Sequence, residues 1–194
     1  MRMTPATIVT SLRIVLAPVF YLIFTTSMID GTIGPGPALL LLSLFLIMEI
    51  TDGLDGYVAR RTGTVSDFGK LFDPFADSLA RLTYFLGFVF TGIMPGWIFI
   101  LILYRDLGVA FVRTLAMRKG VAMAAQLSGK IKAWIYAIAG VAGILSASAS
   151  SFLPTGIADV AVTAANASFL ACAATAVWTM IDYGLAYHRM ADKA

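Results

Sequence analysis

Six apolar stretches, each close to the length a bilayer-crossing helix requires, fill most of this 194-residue chain. They lie at 11–28, 38–55, 72–92, 97–117, 130–146 and 158–183. A helix of roughly 20 residues spans the hydrocarbon core, where every backbone amide must be satisfied without water. Runs this long and uniformly apolar predict an all-α fold, a polytopic membrane protein with six transmembrane helices embedded in a lipid bilayer. The chain is 59% hydrophobic and 13% charged, against about 25% charged in soluble domains. The breaks fall at 31–37, 59–70, 95–96, 118–129 and 148–156. Residues 4–10 are a candidate short N-terminal interfacial helix. No small-residue cleavage site follows the first run, which is therefore read as a retained helix. The whole chain, 1–194, is expected to form a single domain. Cys172 is the only cysteine and His188 the only histidine, which excludes an intrachain disulfide and argues against histidine-based catalysis.

The charges are unevenly placed. The connections after the first, third and fifth segments carry no Lys or Arg, only Asp30 and Asp159. Arg2, Arg60, Arg61, Lys70, Arg118, Lys119, Lys130, Lys132, Arg189 and Lys193 fall at the termini and the other connections. The positive-inside rule then puts both termini and those connections in the cytoplasm. The expected location is the inner (cytoplasmic) membrane of a bacterium, multi-pass, with no nucleic-acid partner.

Within this greasy background, residues 52–77 read DGLDGYVARRTGTVSDFGKLFDPFAD. Carboxylates beside apolar runs are expensive and mark a functional site. Asp52 and Asp55 are about 60° apart on a helix, and Asp73 and Asp77 about 40°. Two helix ends thus each present a carboxylate pair, a cage suited to divalent cations. Mg²⁺ prefers oxygen ligands, so four aspartates can hold two ions bridged by a diphosphate. Gly56 and Gly69 permit close backbone approach by a ligand, and Arg60 can reach a phosphate. Pro74 suits a first helical turn. Arg61 and Lys70 read instead as a solvated loop, and an ion pathway in a divalent-cation transporter is the competing reading of the acidic cluster.

The pattern Asp52-x-x-Asp55-Gly56-x-x-Ala59-Arg60, then Gly69-x-x-x-Asp73-x-x-x-Asp77, resembles the signature of the CDP-alcohol phosphotransferase family at every defining position. The resemblance implies two Mg²⁺ or Mn²⁺ ions held by Asp52, Asp55, Asp73 and Asp77 on the diphosphate of CDP-diacylglycerol. It implies that Gly56, Ala59, Arg60 and Gly69 line the cytidine and phosphate pocket. An acceptor hydroxyl would attack the lipid-side phosphorus, Asp77 would act as general base, and CMP would leave. It also implies a homodimer with its active site facing the cytoplasm.

Arg105 and Arg113 lie in the fourth segment, about 80° apart on a helix, and Lys130 and Lys132 open the fifth. Such a cation cluster suits a small phosphorylated alcohol as acceptor. Alternatively, Arg105 pairs with Asp106 and the lysines contact lipid headgroups. Arg105-Asp106, Arg113, Gly120 and Gly129-Lys130-Ile131-Lys132, with Thr10-Ser11-Leu12-Arg13, resemble the branch that makes phosphatidylglycerophosphate. That resemblance implies sn-glycerol 3-phosphate as acceptor. Asp106, Ser78 and Ala133 depart from the branch's usual Glu, Lys and Thr, and inositol or inositol phosphate stays open as acceptor.

Arg81 is a candidate partner for Asp77, and Glu49 for Arg13 or the metal site. Asp182 is read as a cap or a partner of His188 or Arg189. Trp97, Trp134, Trp178, Tyr104, Tyr136, Tyr183 and Tyr187 read as interface anchors or packing. Ala137, Gly140 and Gly143 predict close helix contacts.

Overall fold

Prolines and glycines punctuate the chain where its helices begin and end. The structure, a computed structural model, describes the backbone of residues 5–62, 67–118 and 127–191, and the side chains of 10–51, 72–117 and 127–189. Among these residues six helices occur: α1 (Pro5–Thr26), α2 (Pro35–Thr62), α3 (Asp67–Phe90), α4 (Gly96–Arg118), α5 (Leu127–Ala149) and α6 (Thr155–Ala191). Pro5 and Pro35 open their helices, where a missing N–H leaves no bond unmade. Gly92, at φ 79°, follows α3, and the amides of Ile93 and Met94 turn back to the carbonyl of Phe88. A two-residue hairpin joins α1 to α2, pairing β1 (Met28–Ile29) with β2 (Thr32–Ile33). Asp30 and Gly31 both adopt positive φ (49° and 80°), as a two-residue hairpin turn demands.

The helices are longer than the apolar stretches, and this moves several residues. Residues 5–10 continue into α1, so among the described residues no separate interfacial helix precedes it; no breaker separates Thr10 from the apolar run. Ala59 and Arg60 lie on α2, and Gly69 and Lys70 on α3, rather than in a loop. Asp52 and Asp55 lie inside α2 rather than at its end, because Gly53 and Gly56 do not break it. Pro74 lies inside α3 and not in its first turn, since the helix begins at Asp67.

α1 packs on α2 and α3, and α6 packs on α4 and α5. On α1 and α3 the contact face is one stripe that is polar at one end and apolar at the other. On α1 the buried stripe runs Thr10, Arg13, Ala17, Phe20, Phe24, the spacing of one helix face. On α3 it runs from half-buried Asp73 and Asp77 through Ala80 and Tyr84 to Phe88. The apolar ends meet in an aromatic cluster, with Phe24 5.0 Å from Phe88 and Phe45 5.1 Å from Tyr84, centroid to centroid. Gly140 and Gly143 make room for it. A Cβ at Gly143 would lie 2.7 Å from the Phe88 ring, and one at Gly140 would enter the ring of Phe45.

The outward faces are apolar too, including Val15, Leu22, Leu39, Leu107, Phe111 and Trp134. Among the described residues, Leu127–Ala149 and Thr155–Arg189 are long and apolar enough to cross a membrane, and Thr10–Thr26 and Pro35–Thr51 are shorter apolar helices. So much exposed hydrocarbon is foreign to a soluble monomer and belongs against lipid.

Candidate active site

Packing α1 on α3 brings together residues more than 60 positions apart. Thr10 donates a hydrogen bond to Asp73 (2.9 Å), and the guanidinium of Arg13 ion-pairs with Asp77. The two carboxylates sit one turn apart on α3, each held by a partner on α1. Arg13, Glu49, Asp77, Arg81 and Tyr84 line one small pocket between α1, α2 and α3. Glu49 also borders an apolar groove of about 670 Å³ between α2 and α5, lined by Phe45, Ile50, Trp134, Ile138 and Leu145 among others. Of the expected metal and CDP-lipid residues, the side chains of Asp52, Asp55, Gly56, Ala59, Arg60 and Gly69 lie outside the described residues.

Arg81, one turn beyond Asp77, lies over the ring of Tyr136 on α5 at 5.8 Å, and Lys132 lies over the same ring at 4.8 Å. Lys132 Nζ donates to Asp106 Oδ1 at 2.5 Å, and Arg105 Nη1 donates to that same oxygen at 2.9 Å. Arg105 Nε donates to the Thr179 hydroxyl on α6 at 2.8 Å. Arg113 Nη2 donates to the Tyr183 hydroxyl at 2.7 Å. A polar seam thus runs from Asp77 through Arg81, Tyr136, Lys132, Asp106 and Arg105 to Tyr183 and Arg113.

The sequence-expected cations separate here. Arg105 and Lys132 are buried and meet on Asp106, whose side chain is 0% exposed. Arg113 is half-buried, and Lys130 is exposed. Lys130 and Lys132 sit about 160° apart on the helix, so two residues of one motif face different surroundings. Arg105 does pair with Asp106, but the same carboxylate serves Lys132. Among the described residues Arg113 has no carboxylate partner, and its Nε, like Asp106 Oδ2, is buried without a hydrogen bond.

The sequence offers Asp106 only as a partner of Arg105, and it does not single out Thr179, Tyr136 or Tyr183 as members of this seam. The two tyrosines are fully buried, each packed against two cations, which is the packing role and not the interface one. Spacing holds a partial signal, since Cys172, Ala176, Thr179 and Tyr183 repeat at three- and four-residue intervals on α6. Asp182 accepts a hydrogen bond from Ser128, in the first turn of α5.

The chain can be compared with known proteins on this basis. The sequence profile of the CDP-alcohol phosphatidyltransferase family matches residues 3–181. A CDP-diacylglycerol–glycerol-3-phosphate 3-phosphatidyltransferase of Treponema pallidum is 48% identical over 93 residues, which are 48% of this chain and 43% of that protein. A probable phosphatidylglycerophosphate synthase of Mycobacterium tuberculosis is 35% identical over 134 residues, covering 69% of this chain and 62% of the relative. A CDP-diacylglycerol–glycerol-3-phosphate 3-phosphatidyltransferase of Bacillus subtilis is 34% identical over 137 residues, covering 68% and 71%. The match thus spans less than two thirds of the first two relatives. With the profile covering most of its length, the chain belongs to the CDP-alcohol phosphatidyltransferase family.

Proposed function

We propose that this protein transfers a phosphatidyl group from CDP-diacylglycerol to sn-glycerol 3-phosphate, giving phosphatidylglycerophosphate and CMP. The observation that carries the acceptor is the charge surplus along the seam. Arg105 and Lys132 share one carboxylate and Arg113 has none among the described residues, and buried positive charge in excess of negative calls for an anion. A neutral alcohol would leave that surplus uncompensated. The names of the Treponema and Bacillus relatives support the same acceptor.

The donor half rests on the carboxylates. Asp73 and Asp77 offer oxygen only, and Thr10 and Arg13 fix their direction, a donor set that fits Mg²⁺ or Mn²⁺. Asp52, Asp55, Asp73 and Asp77 would hold two such ions, which neutralise the diphosphate and make its phosphorus easier to attack. Gly56, Ala59, Arg60 and Gly69 would face the cytidine and phosphates. The apolar groove beside Glu49 suits an acyl chain of the lipid donor.

Asp77 takes the proton of the acceptor hydroxyl as its oxygen bonds to the lipid-side phosphorus, and the bond to CMP breaks. Arg13, on the same carboxylate, holds Asp77 in place to accept that proton. Arg105, Arg113, Lys130 and Lys132 form the acceptor side, with Lys132 and Arg105 buried deepest. The six helices cross the bacterial inner membrane as one domain with both termini cytoplasmic, and the chain assembles as a homodimer. The deciding experiment supplies CDP-diacylglycerol with glycerol 3-phosphate, inositol, inositol phosphate, serine or choline and identifies the lipid product. Phosphatidylglycerophosphate alone is the expected product; a lipid made from a neutral alcohol at an equal rate contradicts the assignment.

A further inference from the structure

We propose that Tyr183 is a positioning residue that sets how Arg105 and Arg113 stand relative to each other, and so sets the preference for a phosphorylated over a neutral acceptor. The inference rests on the acceptor reading above and adds a residue to it. Both guanidinium groups pack on the ring of Tyr183, that of Arg105 at 5.6 Å and that of Arg113 at 5.1 Å from its centroid. Two guanidinium ions that share one ring repel. The negative face of an aromatic ring offsets that repulsion without neutralising either charge. A carboxylate between them would hold them equally well and would cancel the charge that an anionic substrate needs. The structure uses one only for Arg105, through Asp106.

The hydroxyl of Tyr183 does the rest of the alignment. It accepts from Arg113 Nη2 at 2.7 Å, the one hydrogen bond of Arg113 among the described residues. Arg105 is fixed at two points, Nη1 on Asp106 and Nε on Thr179, whereas Arg113 is fixed at one, and that point is Tyr183. Gly129 on α5 leaves the hydroxyl its room, since a Cβ there would come within 3.3 Å of it. Ser128, next to Gly129, is bonded to Asp182, next to Tyr183. The start of α5 and this turn of α6 are thereby clamped together around the hydroxyl.

The test uses the full-length protein purified in detergent, with initial rates measured against each substrate in turn. Tyr183→Phe keeps the ring and removes the hydroxyl. It is expected to raise KM for sn-glycerol 3-phosphate about tenfold, the worth of one hydrogen bond to a charged group, leaving kcat and KM for CDP-diacylglycerol near wild type. Gly129→Ala, which crowds the hydroxyl, is expected to raise the same KM. The double variant is expected to be no worse than Tyr183→Phe alone, because the crowded atom is gone. An unchanged KM for glycerol 3-phosphate in Tyr183→Phe overturns the proposal. So does a common change in all three constants, or a double variant showing the full product of the single effects.

If wild-type protein turns over no glycerol 3-phosphate, the acceptor reading fails and thermal unfolding with inorganic phosphate decides Tyr183 separately. Protection of wild type that is weaker in Tyr183→Phe upholds its role. Equal protection, or none, ends it.

Discussion

Arg13, in the third turn of α1, ion-pairs with Asp77 of α3 across 64 positions of sequence. Arg13 is 3% exposed and Asp77 24%, so the pair is shielded on one side and open to water on the other. In the proposed reaction Arg13 positions the base. Replacing Arg13 by Gln should lower stability by about 2–3 kcal/mol, less than for a fully buried pair because water reaches Asp77. Thermal unfolding in detergent measures that loss, and a parallel CMP-release assay should show kcat falling well beyond what the loss of folded protein explains. Unchanged stability and rate would mean that the pair holds nothing in place.

Asp106 carries two cations on one oxygen. Asp106→Asn leaves Arg105 and Lys132 buried without a counter-charge, and such changes cost about 3–5 kcal/mol. Inorganic phosphate should restore part of the lost thermal stability by supplying the missing anion. A variant as stable as wild type, and indifferent to phosphate, contradicts the charge-surplus argument.

The exposures of Lys130 and Arg113 predict unequal effects. Arg113→Ala should raise KM for glycerol 3-phosphate by about ten- to a hundredfold, whereas Lys130→Ala should stay within about threefold. Both are read from initial rates at saturating CDP-diacylglycerol. If Arg113→Ala lowers turnover equally with phosphorylated and neutral acceptors, it does not bind a phosphate.

Gly140 and Gly143 let Phe45 and Phe88 approach α5. An alanine at either position should cost about 1–3 kcal/mol through overpacking, read as a lower unfolding temperature. Phe45→Leu should recover part of the loss in Gly140→Ala and none in Gly143→Ala, since Gly143 meets Phe88 instead.

Much of this was legible in the chain itself. Long apolar runs specify helices because lipid-facing backbone has few alternatives; α2, α4, α5 and α6 contain the runs that announce them, and the runs of α1 and α3 overshoot those helices by two residues each. The expected ends fall short because α2 and α3 run on past the apolar stretches into polar sequence. Gly53, Gly56 and Pro74 all sit inside helices, where neighbouring residues sustain the ladder. Carboxylates and arginines in apolar surroundings stand out as costly, which is why the sequence singles out Asp73, Asp77, Arg105 and Arg113 as candidates. Tyr183 was hidden because an aromatic residue in an apolar helix is ordinary. Its meaning comes from which cations pack against it from α4, and that depends on tertiary packing. Lys130 and Lys132 were inseparable in sequence for the same reason, since the face each presents is decided by where α4 lies.

The most direct measurement is CMP release by purified wild-type and Asp77→Asn protein, with CDP-diacylglycerol, Mg²⁺ or Mn²⁺, and sn-glycerol 3-phosphate. Wild type should release CMP only when metal and acceptor are both present. Asp77→Asn should be slower by about a thousandfold, while still folded by its unfolding temperature. CMP release by Asp77→Asn at the wild-type rate would contradict the account.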